Sequence, residues 1–348
     1  DDDLAVIIYT AGTTGTPKGV MLTHQNLYKS TVNGASARDV KRTDITLAVL
    51  PLSHSFGITI MNTSFIFGNL FVLMPRFDIE ETFRLIEKHK VTNFPGVPAM
   101  FGFMLFIPPE KRKKYNLSSL KNVTSGSAPL PVETLKAFEK EFDCTITEGY
   151  GLTEASAVVS IGHFDRVIKT GSVGQPIPET ELRIVDENDK DVPTGGVGEL
   201  IVKGPNISPG YYNMPEETAN TFKNGWLYTG DLARMDEDGY LYIVERKKDL
   251  IIRGGFNIYP RDVEEVLHRH PAVQEVAVIG MPDPIMCEEV KAFIVLASNT
   301  TASEQEIINF CRQHLSKDKC PKFIEFLNSL PKSTIGKILR KELRKFAS

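Results

Sequence analysis

The segment Tyr9–Val20, YTAGTTGTPKGV, concentrates three glycines, four threonines and a lysine directly behind the apolar run Leu4–Ile8. Glycine lets a backbone turn sharply and come close to a ligand, while threonine hydroxyls and free amide N–H groups donate to phosphate oxygens. With the mobile charge of Lys18 added, the chemistry this composition suits is the holding of a polyphosphate. The spacing is not that of a Walker A loop, because the position five residues after Gly12 is Pro17. An ordinary Gly/Thr-rich connector is the competing explanation, to be judged by the company the segment keeps. A second polar stretch, Glu148–Glu154 (EGYGLTE), is likewise no GxGxxG dinucleotide turn, since Glu154 stands where the third glycine belongs.

Both stretches adjoin strand-like runs, and so do other polar turns. Leu47–Pro51 closes on Ser53–His54–Ser55, Val91–Phe94 on the Pro95–Pro98 turn, Leu120–Thr124 on Ser125–Pro129, and Cys144–Thr147 on EGYGLTE. Phe77–Lys90 sets Ile79, Phe83, Leu85 and Ile86 at helical spacing amid charges; Val132–Glu141 is another helix, and Ile58–Met74 a buried helix followed by a strand. Strand, polar turn and helix in repetition predict an α/β sheet with ligand loops at strand carboxyl ends. From Gly171 short strands take over (Leu182–Val185, Gly198–Val202, Tyr240–Val244), separated by Asp- and Gly-containing turns. After the charged run Glu245–Asp249 come a helix (Asp262–His268), strands (Val276–Ile279, Ala292–Leu296), a helix (Glu304–Leu315), a strand (Phe323–Phe326) and a basic terminal helix (Lys337–Phe346). The expected architecture is a large α/β body over residues 1–247, β-rich from about 171 to 247, plus a small hinged α+β C-terminal domain over 248–348.

At 348 residues the chain can bury a large core in two or more domains, and a formal net charge of −4 gives no pull toward nucleic acid. No apolar run is long enough to cross a bilayer, which leaves peripheral membrane contact open. Cys144, Cys287, Cys311 and Cys320 form no CxxC pair, so a zinc site or disulfide framework is not expected and a reducing cytoplasm is the easier home. With no initiator Met or leader before Asp1, the sequence reads as a fragment.

Six stretches in order carry a family resemblance: YTAGTTGTPKG, LPLSHSFG (Leu50–Gly57), EGYGLTE, YTGDLA (Tyr228–Ala233), ERKKDLIIRGGFNIYP (Glu245–Pro260) and PKSTIGKILRKEL (Pro331–Leu343). The chain resembles the adenylate-forming superfamily of acyl-CoA synthetases, plant coumarate–CoA ligases, firefly luciferase and peptide-synthetase adenylation domains, without the N-terminal portion that usually precedes the phosphate loop. The resemblance implies that a carboxylate attacks the α-phosphate of ATP to give acyl-AMP and pyrophosphate, after which coenzyme A displaces AMP. Thr10, Gly12, Thr13, Thr14, Gly15, Thr16 and Lys18 would cradle the β- and γ-phosphates, with Ala11 where the family often has Ser. Tyr150, between Gly149 and Gly151, would stack on adenine. Ser127 would face the base, and Glu148 replaces the usual Gln. Thr153 would bind the α-phosphate and Glu154 would hold Mg²⁺. Asp231 would take the ribose hydroxyls, with Arg246 in support. His54 would lie between phosphate and acyl carboxylate. Lys337, after the turn-permitting Gly336, would neutralise charge building between them.

The resemblance further implies a pivot at Lys248 that withdraws Lys337 after adenylation and brings in the Arg253–Asn257 loop, where Gly254 and Gly255 leave room for the pantetheine arm. Ile252 and Gly254 replace lysines found in coumarate ligases and luciferase, so this version is closer to fatty-acid ligases. Apolar residues near the motifs (Phe56, Ile58, Met100, Phe101, Phe103, Val158) and no charge among them suggest a hydrophobic acid, medium- or long-chain fatty ahead of aryl. The alternatives are a coumarate-like aryl-CoA ligase, an enzyme loading a carrier protein, and an inactive fragment that binds ATP or acyl-AMP.

Overall fold

The structure is a computed structural model that describes residues 1–10, 17–333 and 336–346. The chain forms two compact units, one made of Asp1–Thr229 and Ala233–Ile243, the other of Gly230–Leu232 and the chain from Val244 onward.

The first unit is built on a seven-stranded sheet in the spatial order Leu70–Leu73, Ile45–Ala48, Asn93–Gly96, Asn122–Ser125, Thr145–Tyr150, Ser160–Ile161, Gln175–Pro176. The first five strands run parallel and the last two are antiparallel. Parallel strands need covering helices on their faces, and the sequence supplies them at the expected period. In the helix Ile79–His89 the residues Phe83 and Ile86 are buried to 1% and 0% exposure, Asp78 caps the start by accepting from the Glu81 N–H, and Lys90 closes the end in left-handed geometry. Phe83, Phe94, Phe101, Phe138 and Ile146 make the core, with Phe138 stacked on Phe142 at 4.3 Å between centroids. Phe101 is a core residue, edge-on to Phe94 and Phe138.

The parallel strands Ile45–Ala48, Asn122–Ser125 and Thr145–Tyr150 deliver their polar turns to the same edge, as the sequence predicts. The Gly/Thr segment has a different frame: it joins two antiparallel strands, Leu4–Thr10 and Lys18–Thr23, whose register pairs Thr10 with Lys18. Gly210–Tyr211 extends that ribbon by pairing Tyr211 with Val20. A further sheet orders Glu181–Val185, Gly198–Lys203, Trp226–Met235 and Phe222–Lys223, with Leu241–Arg246 also on Trp226–Met235. Its apolar face buries Ile184, Leu200, Val202 and Leu227.

In the second unit the sheet order is Phe256–Ile258, Ile251–Arg253, Cys287–Leu296, Val273–Asp283, with Phe323–Phe326 parallel to Cys287–Leu296. Both faces are covered, which is why the central strands are apolar at successive positions. Val276 and Val278 pack with Val263, Leu267 and Ile307, while Ala277 and Ile279 pack on the opposite face with Leu330 and Leu343. The terminal helix begins at Arg340, three residues later than its sequence suggests. A β-bridge between Lys332 and Ile338, closed by Gly336 at φ 79°, holds Lys337 in a tight hairpin turn instead.

Among the described residues no helix is long and apolar enough to cross a membrane, and Cys144, Cys287, Cys311 and Cys320 are all free thiols. Burial pushes the Cys144 and Cys311 thiols up to about 12, which makes them inert packing groups.

Candidate functional site

Gly12, Thr13, Thr14, Gly15 and Thr16, together with Ala11, lie outside the described residues; the base of their loop, Thr10 and Lys18, is described. The Lys18 ammonium pairs with Glu217 and lies 5.0 Å over the ring of Tyr211. The Tyr211 hydroxyl in turn donates to Oε1 of Glu154 at 2.9 Å. Burial and the adjacent Glu154 carboxylate raise the Tyr211 phenol above its ordinary value, so it stays a donor. Lys18 and Glu154, from motifs far apart in sequence, are thus joined through one aromatic ring. Among the described residues no three His, Cys, Asp or Glu side chains gather as metal ligands. A lone carboxylate still fits Mg²⁺, which takes one or two carboxylates and draws its other oxygens from substrate phosphates and water.

Thr153 and Glu154 stand in a single 3-10 turn directly after the strand Thr145–Tyr150. Gly151 is required there, because a Cβ would lie 1.7 Å from the Ala157 carbonyl oxygen. The Glu148 carboxylate is buried and accepts from the Leu130 N–H at 3.3 Å, tying the Ser125–Pro129 turn to the strand that carries Tyr150. Within that turn Ser127 holds φ at 69°, a conformation that L residues seldom adopt and that clusters at ligand sites. His54 caps the helix Ser55–Phe67, its Nδ1 accepting from the Phe56 N–H at 3.2 Å. That bond assigns the ring proton to Nε2. Gly57 is fixed by the Pro51 carbonyl oxygen, 2.1 Å from where its Cβ would be.

The second unit gathers residues from three motifs. Asp231, 5% exposed, pairs with Arg246 Nε at 3.3 Å. Lys337 lies within the electrostatic reach of Arg246, Asp231, Lys248 and Arg340. Burial first, then the cations Arg246, Lys248 and Arg340, push its ammonium down to about 8, against the pull of Asp231. Burial and Arg246 likewise lower Lys248, with Asp249 and Asp231 opposing. Gly254 and Gly255 form the turn between Ile251–Arg253 and Phe256–Ile258 with φ of 57° and 86°, and they expose Ile252 and Phe256 on either side. Arg253 anchors this hairpin through Glu289 at 2.6 Å and the Asp318 carbonyl at 2.6 Å.

Residues 1–212 match the family model described as AMP-binding enzyme, and residues 262–337 match the AMP-binding enzyme C-terminal domain. The chain belongs to the AMP-binding enzyme family. The long-chain-fatty-acid–CoA ligase of Bacillus subtilis strain 168 is 47% identical over 347 residues, covering 99% of this chain and 62% of that protein. The 2-succinylbenzoate–CoA ligase of Bacillus mycoides is 38% identical over 345 residues, covering 99% and 70%. Among solved structures, ATP-bound MatB from Rhodopseudomonas palustris superposes with a TM-score of 0.93 at 34% identity over 99% of this chain and 68% of that one. The chain thus spans less than two thirds of the B. subtilis ligase.

Against these AMP-binding relatives, Tyr211 and Glu217 are the members of the site that sequence reasoning passed over. GYYNMPEET reads as a turn before a short helix, and its one signal is a pair of tyrosines followed by carboxylates at a helix start.

Proposed function

We propose that this protein acts as an ATP-dependent acyl-CoA ligase that activates a hydrophobic carboxylic acid. The observation that carries the reading is the cluster of Asp231, Arg246, Lys248 and Lys337, contributed by three distant stretches and held in one unit. Three cations assembled beside a buried carboxylate suit an anion-rich ligand. In this reading adenine stacks on Tyr150 beside Ser127, Asp231 accepts from the ribose hydroxyls, and Arg246 holds Asp231 in place. Thr153 donates to the α-phosphate. Lys337 offsets the charge that grows as the acid carboxylate approaches, and the His54 Nε2–H orients that carboxylate. Glu154, oriented by the Tyr211 hydroxyl, would hold Mg²⁺, which supplies charge neutralisation for the pyrophosphate. The Gly254–Gly255 turn gives the pantetheine thiol its path in the second half-reaction. The fatty-acid ligase of Bacillus subtilis is 47% identical against 38% for the succinylbenzoate enzyme, which supports reading fatty acids ahead of aryl acids as substrates.

Pyrophosphate release measured with ATP and a fatty acid, with and without coenzyme A, tests the reading. Acid-dependent release together with a thioester detected by mass spectrometry is expected. Release that acylates only a carrier protein, or nucleotide binding with no release, overturns it.

Lys18 has to exchange Glu217 for a phosphate when ATP binds. Glu217→Gln is therefore expected to lower KM for ATP about fivefold, the worth of a partly exposed ion pair, and to leave kcat unchanged. An unchanged KM shows that Glu217 does not compete for Lys18.

A further inference from the structure

Resting on the ligase reading, we infer that the acyl site ends in a hydroxyl-binding pocket, so that the substrate class is a medium-chain acid bearing an ω-hydroxyl group. A cavity of ≈ 30 Å³ lies against the parallel sheet, its wall including Arg38, Thr46, Thr63, Asn69, Asn93 and Asn122. Thr46 pairs in register with Asn93, and Asn93 with Asn122, so one polar row crosses three strands at their amino ends. Such a row is foreign to a site that ends in a methyl group.

The cavity borders the same helix and strand as the carboxyl-edge turns, so an acyl chain running along them would reach it. Thr63 and Ile60 line it from the helix Ser55–Phe67, the helix that His54 caps. Thr124 also lines it, and Gly126, two residues further on the same face, sits where a Cβ would be 3.1 Å from the Phe56 ring. The His54–Phe56 and Ser125–Ser127 turns therefore meet at the carboxyl edge of the sheet. From Gly126 back to Asn122 the strand descends ~13 Å, the depth of a medium-length alkyl chain.

The hydrogen bonding selects the end group. Asn69 is 8% exposed, and its Oδ1 has no partner; Asn93 Oδ1 also lacks one. Asn69 Nδ2 is engaged with Thr46 Oγ1 at 3.3 Å, so it is the carbonyl oxygen that remains open. Arg38 donates from Nε to the Gly34 carbonyl at 3.3 Å, and Asp44 offsets part of its charge from a distance. The pocket thus offers acceptors that lack a donor beside a guanidinium with donors to spare. A hydroxyl satisfies both, donating to an amide oxygen and accepting from Arg38. A carboxylate would satisfy Arg38 but set negative charge against the amide oxygens, and a methyl end would leave all of them unpaired. Buried water is the competing occupant, since the volume holds about two molecules.

The test compares ω-hydroxydecanoate, decanoate and decanedioate on the intact chain, by calorimetric binding and by pyrophosphate release with ATP. The expected result is a preference for the hydroxy acid over decanoate of about tenfold or more in both readouts. Asn69→Leu and Asn93→Leu are expected to abolish that preference; if neither variant folds, the wild-type ratio decides alone. Decanoate bound as well as the hydroxy acid, with pyrophosphate still released, overturns the pocket and leaves the ligase reading standing. A preference for decanedioate overturns the hydroxyl assignment. Selective binding of the hydroxy acid with no release supports the pocket and overturns the ligase reading.

Discussion

Lys337→Ala is expected to lower acid-dependent pyrophosphate release by about 10²–10³-fold, the usual effect of deleting one preorganised group that stabilises transition-state charge. Thioester formation from supplied acyl-adenylate and coenzyme A is expected to stay within about threefold of wild type, because the pivot at Lys248 that the family resemblance implies would withdraw Lys337 before coenzyme A displaces AMP. The asymmetry follows from where Lys337 sits. The turn closed by Gly336, with Ser333 N–H donating to the Lys337 carbonyl at 2.8 Å and Lys337 N–H to Ser333 Oγ at 3.2 Å, fixes its backbone. Its ammonium is gathered with Arg246 and Asp231, the residues proposed for the ribose. Equal loss of both half-reactions would mean that Lys337 supports the fold of the second unit and not the first chemical step.

The same residue sets an expected alkaline limb. Burial and neighbouring cations hold Lys337 down to about 8 in the free protein, so the charged form proposed to assist adenylation is present below that pH and lost above it. kcat/KM for ATP is expected to fall about tenfold per pH unit beyond that point, and the limb should vanish in Lys337→Ala. Unfolding does not account for it. A lysine whose folded value lies below the unfolded one favours the folded chain as pH rises through the window from about 8 to 10.5.

Much of this arrangement was legible in the sequence, and the rest was not for identifiable reasons. Strands such as Asn122–Ser125 and helices such as Ile79–His89 carry their own signal in apolar period and caps, so local chemistry sufficed. The motif residues Asp231, Arg246 and Lys337 could be nominated one by one. Their gathering is a long-range fact of topology that no window of sequence encodes. The sequence places the start of the terminal helix at Lys337 because Lys337 and Leu339 have good helix propensity, and the bridge from Ile338 to Lys332 overrides it. Tyr211 escaped notice because its function depends on a strand pairing with Val20, about 190 residues away. Arg38 was invisible as a pocket residue because it ends a helix whose other residues pack or face solvent.

Arg340→Met is expected to destabilise the second unit by about 3–5 kcal/mol, the range for removing one partner from a buried ion pair. Arg340 is the clamp of this unit. Its Nη2 reaches both oxygens of Glu264, at 2.7 and 2.9 Å, and its Nη1 lies 3.4 Å from Glu245 and 3.8 Å from Asp249. Burial works against the guanidinium, yet Glu264 and Glu245 outweigh it and raise its value further. Glu245 and Asp249 are only 6% exposed each, so methionine, which fills the volume, leaves buried Glu245 without its counter-charge and Asp249 with Arg344 alone. Glu264 also accepts from the Val278 N–H at 2.8 Å and Arg344 reaches Asp249 at 2.7 Å, so the loss spreads to a core strand and to the stretch before Ile251. Burial already raises Glu245 against the pull of Arg340. A carboxyl whose folded value is raised binds its proton more tightly when folded, so the deficit should shrink as pH falls from neutrality toward the carboxylate range. Arg340→Lys keeps the charge without the fork and is expected to fall between the two. Hydrogen exchange of Pro260–Leu267 and Val273–Asp283 reads the effect in this unit alone. Protection unchanged in Arg340→Met, or a deficit that grows on acidification, would show that the clamp is not what holds Lys337 and the stretch Glu245–Asp249 in one piece.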